Sequence, residues 1–213
     1  MAGDGDREQV VLVHGIWMMG AVFALLARRL RNCGFEPLPF TYPSARLTLE
    51  DAAHQLARFV RERTQGRVHF VGHSLGGLVV LELLAGEANL PIGRTVLLGC
   101  PSSGCQAAEQ LLRSRSGRML IGTGLPRWRA ERGITAAHRA EVGAIAGTLR
   151  FGIASLVVRL PLPNDGAVTV EETRLRGLRD HIVLPVTHSG MVLSTRVARQ
   201  VCAFLSHGRF AHA

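Results

Sequence analysis

Three short motifs carry side chains that together could transfer an acyl group. Ser74 lies in GHSLGG, Asp165 in NDGAV and His188 in THSGM. A serine hydroxyl becomes a nucleophile when an imidazole accepts its proton, and a carboxylate can hold that imidazole in the right tautomer. The chain order Ser, Asp, His is typical of a nucleophile on a strand-to-helix turn. We predict these residues as nucleophile, orienting acid and base.

The surroundings of Ser74 support a nucleophilic role. An apolar run precedes the motif and another follows it, so Ser74 stands where a strand passes into a helix. A serine on such a turn needs a sharp, strained backbone, and glycines two residues before and after it let the chain cross closely. The helix that begins here also presents free N–H groups to developing negative charge.

A second set of residues could bind the oxyanion. The first apolar run ends in VHGI, and the N–H of Ile16 after the His-Gly pair can point at the oxygen together with the N–H of Leu75. Losing one such donor typically costs about 100- to 1000-fold in rate. Trp17 and Met18 follow and, with Met19, are expected to line an acyl pocket, with plain packing as the alternative.

Several of these residues have a competing interpretation. Asp165 could simply stabilise an Asn-Asp-Gly turn. The Asp180–His181 pair is a rival for acid and base, but it lies at the start of its strand, away from the carboxyl edge. His73 is expected to be structural, and His14 to hydrogen-bond backbone near the oxyanion loop.

The elements that must position these side chains alternate along the chain. Short β-branched runs follow one another with amphipathic segments between them, which indicates a parallel sheet with right-handed crossovers and helices on both faces. Strands are predicted at 9–15, 36–41, 67–71, 94–98, 142–146 and 180–186, and helices at 21–32, 48–65, 75–85 and from 194 onwards. Thr48 to Asp51 resembles a capping box, and Ser194 is a candidate cap.

The alternation of strands and helices is lost over residues 101–140, which we interpret as a small cap over the carboxyl ends of the strands. Seven arginines fall between residues 110 and 140, at positions 113, 115, 118, 127, 129, 132 and 139. The segment should form a positive surface, either a solvated face or a region that attracts anionic substrate groups or an anionic membrane surface. Nucleic-acid binding is not expected, because aromatics are sparse and no recognition motif is present.

Length and composition bound the rest. The 213 residues, 47% of them hydrophobic, suit one domain spanning 1–213. The polar start and the lack of a long apolar stretch favour a cytoplasmic protein without a spanning helix. The four cysteines are too scattered for a disulfide scaffold and are expected to be reduced, and no metal site or cofactor is expected.

The motifs VHGI, GHSLGG, NDGAV and THSGM, in this order, resemble the bacterial lipase and esterase branch of the α/β-hydrolase superfamily over residues 9–207. The resemblance implies ester hydrolysis without a cofactor by Ser74, Asp165 and His188, with Ile16 and Leu75 as oxyanion donors. Secreted lipases of this branch often carry a calcium-binding acid soon after the histidine, which is missing here. We expect a minimal sheet of about six strands and a small intracellular esterase acting on a small-molecule or lipid-like ester.

Two other functions stay open. The same three residues could serve a thioesterase or an acyltransferase, because acyl transfer does not reveal the acceptor. A non-catalytic member that keeps the fold as a binding module is also conceivable, although such a protein has no need for both acid and base. The sequence does not define the oligomeric state.

Overall fold

The sheet is parallel throughout and has six strands in the order β2-β1-β3-β4-β5-β6. A computed structural model describes residues 7–86, 89–115, 117, 128, 130–151 and 158–212. The strands are β1 (Gln9–Val13), β2 (Glu36–Phe40), β3 (Val68–His73), β4 (Ile92–Leu98), β5 (Glu141–Gly147) and β6 (Asp180–Leu184). The predicted parallel sheet of about six strands is confirmed.

The inner strands β1, β3, β4 and β5 are largely buried on both sides because helices cover both faces of the sheet, whereas the edge strands β2 and β6 are partly exposed. All six residues of β3 are buried, as a central parallel strand requires. Along β1, Val11 and Val13 belong to one core cluster, whereas Val10 and Leu12 belong to the other. This alternation follows from the two-residue repeat of a strand, and it divides the core into two layers.

Most helices of the described residues pack against one of those two faces. They are α1 (Ala24–Asn32), α2 (Leu49–Arg63), α3 (Leu75–Gly86), α4 (Gln106–Leu112), α5 (Ala130–Arg139) and α6 (Thr195–His207). Residues of α2, α3 and α5 contribute to the first cluster, and residues of α1 and α6 to the second. The prediction of helices on both faces is confirmed.

Two predicted helix starts have the expected caps. The Thr48 hydroxyl oxygen accepts a hydrogen bond from the Asp51 N–H at 3.1 Å, and the Ser194 hydroxyl oxygen accepts one from the Val197 N–H at 3.3 Å. Each satisfies one of the N–H groups that a helix start leaves without an acceptor, which typically contributes about 1 kcal/mol. At the other end of α6, Gly208 takes the left-handed conformation at φ +70 that glycine adopts most easily.

The segment predicted as a cap is described only in part. Residues 116, 118–127 and 129, which include Arg118, Arg127 and Arg129, lie outside the described residues. Ala136 and Ala137 of α5 are buried in the first core cluster. The cap over residues 101–140 therefore stays a prediction. Within this segment, α5 (Ala130–Arg139) packs on the core.

The described arginines of this segment divide into two kinds. Arg132 pairs with the buried Glu82 of α3, and Arg139 donates to the Ala85 carbonyl at 2.8 Å. Both thus hold α5 against α3. Arg113 and Arg115 are exposed, so they add to the positive surface.

The expectation of four reduced cysteines is wrong for two of them. Cys33 and Cys202 form a disulfide with a Cα–Cα distance of 6.2 Å, inside the usual range for such bonds. It ties the end of α1 to α6. Cys100 and Cys105 are free. No helix in the described part of the chain combines the length and apolarity that crossing a bilayer needs.

Candidate active site

The candidate residues gather where the strand order changes direction. β1 has β2 on one side and β3 on the other, so the connections leaving β1 and β3 diverge to opposite sides. In open parallel sheets, such a switch point forms a crevice outside the carboxyl ends of the strands, where ligands bind. Ile16 follows β1 and Ser74 follows β3, so both lie at this crevice.

Ser74 sits on a tight turn between β3 and α3. Its φ is +54, a left-handed value that non-glycine residues seldom adopt and that marks a site held by its surroundings. The Ser74 N–H donates to the Leu98 carbonyl at 2.9 Å, and the Ser74 carbonyl accepts from the Gly77 N–H at 2.9 Å. The side chain is half-buried, so the hydroxyl is available to a ligand.

The glycines of the motif are required by close backbone crossings. A Cβ on Gly72 would lie 2.5 Å from the Gly77 Cα, and one on Gly76 would lie 2.1 Å from the Val13 carbonyl oxygen. Both distances are far inside van der Waals contact. The turn can therefore press against the end of β1, which brings Ser74 beside the loop that follows β1.

His188 and Asp165 form the central pair of the site. The His188 Nδ1 lies 2.8 Å from the Asp165 Oδ2, with the histidine side chain 15% exposed and the aspartate 1% exposed. Their backbones are joined as well, because the His188 N–H donates to the Asp165 carbonyl at 3.0 Å. The second carboxylate oxygen accepts from the N–H groups of Ala167 and Val168 at 2.9 and 2.8 Å. All of these contacts fix the carboxylate in place.

Asp165 is ionised despite its burial. Burial raises the pKa of the carboxyl, but the electrostatic interaction and hydrogen bond with His188 and the two backbone N–H donors lower it below its ordinary value. An ionised Asp165 accepts the Nδ1–H of His188, so the Nε2 of the neutral ring is left free to accept a proton. The Asn-Asp-Gly turn, which was the alternative role of Asp165 in the sequence, thus also holds the carboxylate through its backbone N–H groups.

His73 lies behind this pair. It is buried, its Nε2–H donates to the His188 carbonyl at 3.0 Å, and the two rings are 4.8 Å apart at their centroids. Burial and the neighbouring His188 lower the pKa of His73 to about 3, so the ring stays neutral at ordinary pH. Because His73 precedes Ser74, this contact brings the Ser74 turn and the His188 loop together.

The rival pair lies elsewhere. His181 stands at the amino end of β6, where its Nε2 lies 2.8 Å from the Thr173 hydroxyl. Asp180 accepts from the His181 and Phe210 N–H groups at 2.8 and 2.7 Å and pairs with His212. These contacts tie the end of the chain to the sheet, at the edge opposite to Ser74.

The predicted oxyanion donors flank Ser74. A Cβ on Gly15 would lie 3.2 Å from the Ser74 Cβ, so the peptide between Gly15 and Ile16 adjoins the turn. Leu75 is the first residue of α3, and a helix leaves the N–H groups of its first residues without acceptors. Within the described residues, no acceptor is found for the Ile16 N–H.

Trp17 and Met18 border a shallow cleft beside this loop. Its volume is about 270 Å³, and its other lining residues are Met19 and residues 42–46. Trp17 is 66% exposed and has a left-handed φ of +57. The two predicted substrate-binding residues are therefore accessible and lie next to the candidate oxyanion donor.

Three residues beside Asp165 and His188 were not predicted from the sequence. Glu172 is buried and accepts from the Gln106 N–H at 2.5 Å and from the Thr169 N–H at 2.7 Å, which anchors the Asp165 segment. A Cβ on Gly99 would lie 3.0 Å from both the Asp165 Oδ2 and the His188 Nδ1, and one on Gly147 would lie 2.8 Å from the Asp165 Cβ. The only sequence signal was a glycine at or just past the end of β4 and β5.

Thiol and metal chemistry have less support. Burial raises the pKa of Cys100 well above the ordinary value and that of Cys105 to about 11, so neither forms a thiolate readily. Among the described residues, no group of three or more His, Cys, Asp or Glu side chains is arranged to hold a metal ion. The expectation that the protein works without a cofactor stays a prediction from the sequence.

Comparisons with known proteins agree with this fold. The mature lipase BlEst2 of Bacillus licheniformis superposes with a TM-score of 0.75 at 18% identity, covering 96% of this chain and 93% of that one. An esterase from Exiguobacterium antarcticum gives 0.70 at 14%, covering 95% and 93%. A pyrethroid hydrolase from Sphingobium faniae gives 0.63 at 13%, covering 95% and 98%.

At these identities the likeness concerns the fold alone. No curated protein matches the sequence. A model of the alpha/beta hydrolase family, however, matches residues 10–210, which is nearly the whole chain and includes every motif described above. The chain therefore belongs to the alpha/beta hydrolase family.

Proposed function

We propose that the chain is a serine hydrolase that cleaves carboxylic esters of apolar acyl groups through an acyl-enzyme on Ser74. The observation that carries the proposal is the 2.8 Å contact between the His188 Nδ1 and the buried Asp165 Oδ2. It stands at the edge of the sheet where Ser74 occupies a left-handed turn. A serine, a histidine and an oriented carboxylate are the parts that acyl transfer requires.

In the first half of the reaction, the Ser74 oxygen bonds to the ester carbonyl carbon while the His188 Nε2 accepts the hydroxyl proton. The carbonyl oxygen becomes an oxyanion, which accepts hydrogen bonds from the N–H groups of Ile16 and Leu75. As the oxyanion collapses, His188 returns the proton to the alcohol oxygen and the bond to the alcohol breaks. The acyl group is left on Ser74.

In the second half, water replaces the alcohol. His188 accepts a proton from the water as its oxygen attacks the acyl carbon, and then gives that proton to the Ser74 oxygen as the acid leaves. Asp165 stays ionised throughout and stabilises the imidazolium that forms twice. The carboxylate can do so because its pKa is held below the ordinary value.

The acyl group is proposed to lie along the cleft at Trp17 and Met18. Both line a cleft of about 270 Å³ together with Met19 and Tyr42, and Trp17 directly follows the candidate donor Ile16. An acyl chain whose carbonyl oxygen is bound by that N–H would have apolar surface within reach, which favours apolar substrates.

Contact with an anionic membrane surface is a further part of the proposal. Exposed apolar side chains follow two strands at the carboxyl edge, namely Trp17 and Met19 after β1 and Leu149 and Phe151 after β5. Arg150 between the last two is exposed as well. Apolar side chains beside a cation suit an anionic lipid surface, and flotation with vesicles that contain or lack anionic lipid would test this binding.

The cytoplasmic location predicted from the sequence stays a proposal, and the Cys33–Cys202 disulfide argues against it. Cytosolic proteins usually keep their thiols reduced. Mass spectrometry of the protein after alkylation in intact cells would show whether this pair is oxidised where the chain resides.

The proposed reaction is tested by the hydrolysis of p-nitrophenyl esters of increasing chain length. The wild type should turn over these esters, and Ser74→Ala should lose several orders of magnitude in kcat, as in other triad enzymes. Ser103→Ala is the matched control, because Ser103 is an exposed serine whose hydroxyl donates to the Glu171 carbonyl. Equal activity in wild type and Ser74→Ala would contradict the proposal.

Changing the substrate or the acceptor in this assay separates the alternative functions. A thioesterase would turn over acyl-thioesters faster than oxygen esters, and an acyltransferase would form a new ester when an alcohol is added. A non-catalytic binding protein would show neither turnover nor covalent modification of Ser74.

A further inference from the structure

The loop that carries the proposed oxyanion donor is held by residues 41–44, which follow β2 and which we call the 41–44 segment. Four hydrogen bonds join the two. The Tyr42 N–H donates to the His14 Nε2 at 3.3 Å and the Tyr42 hydroxyl to the His14 carbonyl at 3.0 Å. The N–H groups of Trp17 and Gly20 donate to the hydroxyls of Ser44 and Thr41, both at 3.1 Å.

The contact of Tyr42 with His14 decides which ring nitrogen carries the proton. Because the His14 Nε2 accepts the Tyr42 N–H, the proton of the neutral ring must be on Nδ1. The Nδ1 lies 2.9 Å from the Gly15 carbonyl oxygen and donates to it. Burial lowers the pKa of His14, which keeps the ring neutral, and its stacking on Tyr42 at 4.7 Å holds its plane.

The Gly15 carbonyl belongs to the same peptide group as the Ile16 N–H. In a trans peptide the C=O and N–H point in opposite directions, and in the described residues the one cis bond is Leu162–Pro163. A hydrogen bond that fixes the direction of the Gly15 oxygen therefore also fixes the direction of the Ile16 N–H. That peptide lies beside Ser74, whose Cβ would be 3.2 Å from a Cβ on Gly15.

Ser44 fixes the next peptide. Its buried hydroxyl accepts the Trp17 N–H, so the peptide groups on both sides of the Ile16 Cα are held by side chains. Trp17 has a φ of +57, and such a conformation persists only where the surroundings hold it. The hydrogen bond to Ser44 is one of those constraints.

We propose that His14 and Ser44 are positioning residues that aim the Ile16 N–H at the oxyanion, with the 41–44 segment setting the His14 tautomer. The inference rests on the proposed function, since it concerns the stabilisation of an acyl-transfer intermediate. His14 is fully buried, and the hydroxyl of the buried Ser44 is occupied by the Trp17 N–H. Their effect is to keep a donor pre-aligned, and a misplacement of about 1 Å can cost about 100-fold in rate.

Two substitutions of His14 separate this role from a general effect on folding. In His14→Asn, the amide nitrogen can take the place of Nδ1 and keep the hydrogen bond to the Gly15 carbonyl. In His14→Gln, the longer side chain can reach Tyr42 but no longer holds that carbonyl. Both lose the ring that stacks on Tyr42, so their stabilities should fall alike.

The readouts are kcat, KM and the affinity for a trifluoromethyl ketone, which forms a tetrahedral oxyanion on the nucleophile. We expect His14→Gln to lose about 100-fold in kcat and a similar factor in ketone affinity, with little change in KM. His14→Asn should lose less than about 10-fold in both. Equal losses in the two folded variants would overturn the inference.

Ser44 supplies a second pair in case the His14 variants do not fold. Ser44→Thr keeps the hydroxyl acceptor and Ser44→Ala removes it, so the threonine variant should retain more kcat and ketone affinity than the alanine variant. Equal values would overturn the role of Ser44. If the wild type neither turns over esters nor binds the ketone, the proposed function itself fails, and the inference fails with it.

Discussion

His188 and Asp165 are joined twice, through their side chains at 2.8 Å and through the His188 N–H and the Asp165 carbonyl at 3.0 Å. The double link means that neither residue can move without the other. It joins the described residues around Asp165 to those around His188 at the edge of the sheet. His188 also contacts His73, the residue before Ser74, through its carbonyl and its ring, which links the pair to the Ser74 turn.

Asp165→Asn should keep the shape of the site and lose its chemistry. The amide cannot accept the Nδ1–H and carry negative charge as the carboxylate does, so the imidazole takes the wrong tautomer, and kcat should fall about 10³- to 10⁴-fold. Steady-state ester hydrolysis measures the effect. Asp180→Asn changes the rival acid, which binds the end of the chain, and should stay within a few-fold of wild type. A larger loss in Asp180→Asn would point to the wrong acid.

Gly99→Ala should damage the acid–base pair directly. The new Cβ would lie 3.0 Å from both the Asp165 Oδ2 and the His188 Nδ1, at a φ of +53, so both atoms would have to shift by a few tenths of an ångström. Gly66→Ala is the control, because Gly66 has a φ of +65 with nothing within 4 Å of its Cβ position. Both variants should lose about 1 kcal/mol of folding free energy from backbone strain. Only Gly99→Ala should also lose kcat, and equal kcat values would refute the steric argument.

The stability of the chain should decrease in acid partly because of His73. Burial lowers its pKa to about 3, below the ordinary value near 6.5, so the unfolded state binds the proton first. The stabilising contribution is complete above about pH 6.5 and is lost as the pH falls towards 3. A fall of the pKa from 6.5 to about 3 corresponds to at most about 5 kcal/mol.

His73→Gln isolates this effect. The glutamine can donate to the His188 carbonyl as the Nε2–H does, but it does not titrate. Urea unfolding at pH 7, 5.5 and 4.5 should show that the free-energy difference between wild type and variant shrinks as the pH falls. Parallel curves would mean that His73 is not buried in its neutral form.

Removing the disulfide should affect stability rather than activity. Cys33 and Cys202 are 169 residues apart in sequence, and a cross-link over so long a loop restricts the unfolded chain strongly. The Cys33→Ser, Cys202→Ser double variant should lose about 2–5 kcal/mol of unfolding free energy with kcat nearly unchanged, since Cys33 precedes the amino end of β2, opposite to the site. Alkylation of the unfolded, unreduced protein should label two cysteines. Labelling of four would exclude the bond.

Much of the sheet was predictable because its signals are local. Residues 10–13 of the first strand are all apolar, and Thr48 and Ser194 cap their helices by contacts within three residues. The order of the motifs placed Ser74, Asp165 and His188 at one edge, since the carboxyl ends of parallel strands share that edge. The contact between Asp165 and His188 follows from this topology.

The supports of the site were not predictable in the same way. Glu172 looks like an ordinary surface acid in the sequence, and its burial depends on the backbone of Gln106, 66 residues away. The partners Cys33 and Cys202 carry no shared pattern. Ser44 and Tyr42 gain their roles only because β1 and β2 are neighbours in the sheet, and residue spacing does not reveal a side-chain contact between two loops.

The central claim is that Ser74 is the activated nucleophile of this site. Treatment with a fluorophosphonate probe, followed by intact-mass analysis and peptide mapping, tests it most directly. The folded wild type should gain a single adduct on Ser74, and Ser74→Ala, His188→Ala and the urea-unfolded wild type should gain none. An adduct on another residue, or equal labelling of Ser74 after unfolding, would contradict the account.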